Sequence, residues 1–137
     1  MNDLMKKILL CFIAGCLGGI AVNVVNLILG LVNIPHYIGV DLSRDSSIIA
    51  LYMDLLWGGL WGILFLIPIL EDLLFVKGVL LSLIPTLFQL FVVLPKVYGI
   101  NILGLEFGIL LPLYILLLNG IWGIFAALFL SYSLNKA

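Results

Sequence analysis

The chain has 137 residues, of which 65% are hydrophobic and 9% charged, with a formal net charge of −1. Soluble domains carry about 25% charged residues, and a chain this short has a large surface to cover with polar groups, so a water-soluble globular fold is excluded. The hydrophobicity excludes disorder, and the lack of a basic stripe excludes nucleic acid as a partner.

From Ile8 to Pro35 no residue is charged. Bilayer hydrocarbon is about 30 Å thick and takes about 20 helical residues, and backbone groups in lipid must be satisfied inside the helix. A first spanning helix is predicted over about 7–33. Met5-Lys6-Lys7 followed by Ile8–Ile13 also has the form of a secretory signal, and Ile13-Ala14-Gly15-Cys16 that of a bacterial lipobox, whose cleavage would leave Cys16 lipidated. Hydrophobicity continues past Cys16 to Val32, where a processed lipoprotein turns polar, so an uncleaved helix is the preferred reading. Cys11 and Cys16 fit neither zinc nor CxxC spacing and read as inert thiols. Gly15, Gly19, Asn23, Asn26 and Gly30 form one small, polar stripe. Its Gly15/Gly19 pair is a GxxxG, a spacing that lets helix backbones approach closely.

The only sizeable loop, Asn33–Ser47, holds Pro35, His36, Tyr37, Asp41, Arg44 and Asp45. A single imidazole among scattered carboxylates reads as solvated, not as a metal site. Asp45, Ser46 and Ser47 offer N-cap chemistry to a second helix over about 48–70, which carries a second GxxxG (Gly58/Gly62), Trp57 and Trp61 one turn apart, and Pro68 near its end. A turn over Glu71–Lys77 leads to a third helix at about 74–95, with Pro85 inside it and Ser82, Thr86 and Gln89 on one face. After a short connection, Lys96–Leu105, the fourth helix is predicted over about 106–132, with Pro112 as a second candidate kink. Gly104 and Gly108 make a third GxxxG.

The fold class predicted is an all-α, four-span membrane bundle forming a single domain. Gly59-Leu60-Trp61-Gly62-Ile63 is echoed by Gly120-Ile121-Trp122-Gly123-Ile124. That suggests two tandem helical hairpins related by a pseudo-twofold along the membrane normal, with coincidence in a Leu/Gly/Trp-rich alphabet as the alternative. Lys6, Lys7, Lys77 and Lys136 on one side outnumber Arg44 and Lys96 on the other. By the positive-inside rule both termini are then cytoplasmic, as in a bacterial inner membrane.

Asp54 is the only charged residue within the four stretches Ile8–Pro35, Ile48–Leu70, Gly78–Pro95 and Phe107–Asn135 that form the interiors of the spans. Such a group costs about 2.5–3.5 kcal/mol on insertion scales and is a functional candidate by default. It lies about six residues, or roughly 9 Å, from the outer end of its helix. Asn26 and Gln89 fall at a similar depth, with Asn119 deeper, so a polar pocket of Asn26, Asp54, Gln89 and Asn119 is predicted to open outward. The competing reading makes these side chains interhelical glue at about 0.6 kcal/mol per bond, with Asp54 protonated or paired with Arg44 or Lys96.

No catalytic or nucleotide-binding motif is present, and neither an enzyme nor a cofactor is expected. Two functions follow. One is an interaction or assembly subunit, with homo-oligomers or other membrane subunits as partners in the bilayer and the glycine faces as contacts. The other is a small-solute or ion carrier built on the polar pocket.

Overall fold

In a computed structural model of the chain, residues 1–41 and 47–135 are described. They are helical, with no strand among the described residues. Four helices are long and apolar enough to cross a membrane: Asp3–Leu31, Ile48–Leu66, Leu74–Val97 and Leu111–Asn135. Their outward faces carry exposed apolar side chains such as Leu17, Leu27, Ile49, Leu87, Leu117 and Leu128, a surface suited to lipid.

The first helix starts at Asp3, so Lys6 and Lys7 ride on it instead of preceding it. The second begins at its cap: Ser47 Oγ accepts the Ala50 N–H at 3.2 Å. Asp45, Ser46, Arg44 and Lys136 lie outside the described residues. The second helix tightens to a 3-10 turn over Ile63–Leu66 and stops before Pro68, which disfavours helix in the residue ahead of it.

The third helix is interrupted twice. It breaks at Ser82, then resumes over Leu83–Phe88. Pro85 has no N–H, and its ring crowds the carbonyl of residue 81, four positions back. The widened turn lets Ser82 Oγ donate to Val79 O at 2.6 Å and Thr86 Oγ1 to Ser82 O at 2.7 Å. A π turn follows over Gln89–Val93, where Pro95 imposes the same demand on residue 91.

The fourth helix starts at Leu111, five residues later than expected, because Ile102–Phe107 forms a separate 3-10 turn with Leu103 and Gly104 at positive φ. Gly104 (φ 64) and Gly108 (φ 132) are therefore turn residues, not a helix-packing pair. Pro112 falls in the first helical turn, where a missing N–H is harmless, so it produces no kink.

The first helix packs against the second and the fourth, and the fourth also packs against the third. Second and third meet through rings: Trp61 meets Phe88 edge-on at 5.3 Å, and Trp57 lies 6.0 Å from the same ring. Glycines set the closest approaches. A Cβ on Gly15 would overlap the Gly58 carbonyl and lie 2.8 Å from Gly62 Cα, and one on Gly19 would lie 3.0 Å from the Asp54 carbonyl. Gly78 and Gly123 meet the same way between the third and fourth helices.

Two apolar clusters result. One, at the end bearing the termini, surrounds Trp122 with Cys11, Ala14, Phe65, Leu81 and Ala126. The other, at the opposite end, gathers Val40, Leu90, Leu94, Ile100, Leu111 and Ile115. The loops join there, with Asp41 N–H donating to Phe107 O at 2.9 Å.

Candidate functional site

Between the two clusters lies a polar layer. Tyr114 Oη donates to Asn26 Oδ1 at 2.6 Å, tying the fourth helix to the first. Asn119 Nδ2 donates to Gln89 Oε1 at 3.4 Å, a long bond between the fourth helix and the third. Asn23 Nδ2 folds back to Gly19 O at 2.9 Å. Nearer the termini, Trp122 Nε1 donates to Gly15 O at 3.0 Å, and Cys16 Sγ to Leu55 O at 3.3 Å. Apart from the Asn23 contact, these are bonds between helices, worth about 0.6 kcal/mol each on average in membranes.

The layer borders a half-open cavity of about 730 Å³, within the usual range for small-molecule sites. It reaches toward the end of the helices where Leu31, Pro35, Ser47 and Leu111 lie. Its polar lining comes from Asn23, Asn26, Ser47, Gln89 and Tyr114, and its walls are apolar, Ile20, Leu55 and Leu118 among them. None of the described lining residues is charged.

The cavity brings together two members of the predicted pocket, Asn26 and Gln89. Asn119 reaches it only through Gln89. Asp54 does not line it. Leu51 and Leu55 share one face of the second helix and do line the cavity, while Asp54 is turned about 100° from Leu55 at 3.6 residues per turn. Counting depth along the helix grouped Asp54 with Asn26 and Gln89, but helical phase turns it away from the cavity. It is half-buried, with its backbone carbonyl against Gly19.

Tyr114 escaped the sequence reading because its ring counts as apolar; the hydroxyl, a turn inside a span, was the available signal. Lys77, counted in the sequence only among the charges that set orientation, is the other residue the structure brings forward. It is 2% exposed, and its ammonium donates to Phe65 O at 2.8 Å and to Ile67 O at 2.7 Å. Local sequence explains this. Phe65 O would ordinarily take an N–H from three or four residues on. Pro68 has none, and the Ile69 N–H goes to Ile67 O at 2.8 Å. Lys77 replaces the missing donor at the negative end of the second helix, where a cation is favoured.

Among the described residues no three His, Cys, Asp or Glu side chains are grouped to hold a metal, and His36 is exposed beside Tyr37. Trp122 is enclosed at 4% exposure, whereas its sequence counterpart Trp61 stacks on Trp57 with ring centroids 6.2 Å apart. No family model matches the chain, nor does any curated protein or solved structure.

Proposed function

We propose that the chain is a small membrane-embedded binding protein that holds a lipophilic small molecule in the cavity beside the Asn26–Tyr114 pair. The observation carrying this reading is an open volume of about 730 Å³ with apolar walls and a few grouped polar side chains. The reading includes no catalytic step. It develops the carrier class with a changed residue set: Asn26 and Gln89 stay, Asn23 and Tyr114 join them, and Asp54 and Asn119 are not among the lining residues. The assembly-subunit reading relied on the glycine faces. Gly15, Gly19, Gly58 and Gly62 pack against one another inside the chain, which favours the binding reading over it.

The proposal takes the four helices as one bundle of two tandem hairpins with both termini cytoplasmic, as in a bacterial inner membrane. Gly62 on Gly15 and Gly123 on Gly78 support the tandem arrangement, since the second helix of each hairpin rests a glycine on the first. Native mass spectrometry of the purified protein tests the function. Wild type should retain a lipophilic adduct, and Leu51→Trp, which fills the cavity from an exposed lining position, should lose it while unfolding at the same detergent composition. A wild type without adduct, or a Leu51→Trp variant that keeps it, refutes the reading.

A further inference from the structure

We infer that the molecule held in this cavity is a neutral amphiphile bearing a carbonyl oxygen, received by the carboxamide N–H groups of Asn26 and Gln89. The inference rests on the binding reading above and adds the chemistry of the ligand.

Hydrogen bonding among the lining residues determines what they have left to offer. The Tyr114 hydroxyl places its proton on Asn26 Oδ1, which leaves the Asn26 NH2 without a partner among the described residues. Asn119 likewise engages Gln89 Oε1 and leaves the Gln89 NH2. An amide NH2 only donates. Every fully enclosed side-chain N or O atom among the described residues is hydrogen-bonded, so the unengaged N–H groups are ones that reach open space. Both residues line the cavity, one from the first helix and one from the third. The site thus presents donors from two walls, and its complement is an acceptor.

The acceptor is uncharged because the described lining has no charged side chain to meet it. An ion in such a place bears a desolvation cost that amide donors alone do not offset. The rest of the molecule is apolar: Ile20, Leu55 and Leu118 lie to one side of the polar group, and Leu31, Pro35 and Leu111 to the other. A carbonyl on a long hydrocarbon meets both demands. Acylglycerol esters and quinones share that chemistry.

The test uses long-chain probes with matched tails against the full chain in detergent: an alkane, a methyl ketone, a methyl ester, a quinone, a carboxylate and a quaternary ammonium. Binding is read by native mass spectrometry and calorimetry. The carbonyl probes should bind about tenfold tighter than the alkane and both ions, the effect of one or two net hydrogen bonds. Asn26→Leu combined with Gln89→Leu should erase that preference while leaving alkane binding. An ester preferred to the quinone points to membrane acylglycerols, and the reverse to a quinone; either supports the carbonyl assignment. Equal binding of alkane and ketone by wild type overturns that assignment while the cavity remains a binding site. No binding of any probe overturns both. The wild-type comparison needs no variant to fold.

Discussion

Replacing Lys77 by Met tests whether a buried cation substitutes for a missing backbone donor. The substitution keeps volume and removes two charge-assisted bonds, to Phe65 O and Ile67 O. Taken alone they suggest a loss of about 3–6 kcal/mol at 1.5–3 each. Two features reduce it. Ile67 O keeps the Ile69 N–H, so only Phe65 O is stranded, at about 1–3 kcal/mol. The ammonium also no longer has to be desolvated. The expected destabilisation is about 2 kcal/mol, read from reversible SDS unfolding in mixed micelles followed by circular dichroism. Pro68→Ala supplies an N–H three residues after Phe65, so Lys77→Met should cost at least 1 kcal/mol less in that background, roughly one hydrogen bond. A Lys77→Met variant within about 0.5 kcal/mol of wild type, or one equally damaging in both backgrounds, would refute the reasoning.

Gly15→Ala should destabilise by about 1–3 kcal/mol in the same assay, because its Cβ meets the Gly58 backbone, which cannot move aside as a side chain would. Gly120→Ala, with nothing within 4 Å of the added carbon, should be neutral or stabilising by up to about 1 kcal/mol; if the two behave alike, the helix contacts are misassigned. Tyr114→Phe should cost about 0.6 kcal/mol and weaken ketone binding more than alkane binding, since Asn26 loses the partner that orients it; unchanged selectivity would count against that role. Alkaline phosphatase fused at the C-terminus should be inactive and green fluorescent protein there bright, as the excess of Lys6 and Lys7 over Lys96 requires; the opposite pattern would reverse the orientation.

Much of the fold could be read from residue type alone. Lipid tolerates so little backbone irregularity that long uncharged runs have to be helices, and the four spans lie near where the charge gaps put them. What failed was local and conformational. Gly104 and Gly108 have GxxxG spacing, yet that spacing is also compatible with two left-handed turn residues, and they delay the fourth helix to Leu111. Depth is a linear count along the chain, and Asn26 and Gln89, which it grouped, both line the cavity. Facing is an angle that depends on neighbours, so Asp54 could not be oriented without knowing that Gly58 docks on Gly15. Lys77 was illegible for a further reason: its partners are backbone carbonyls, which leave no trace in residue identity except the proline that orphaned one of them.

The first helix sits between the second and the fourth, and its bond from Trp122 spans 107 residues of sequence. During synthesis the leading hairpin therefore waits in the bilayer for a partner the ribosome has yet to release. Gly18, whose added Cβ would lie 2.7 Å from Trp122 Cδ1, marks the uncovered notch on that waiting hairpin. A chain halted before the last helix would leave this notch unfilled and the Trp122 bond to Gly15 unmade, so the first segment to be synthesised is among the last to be fully packed.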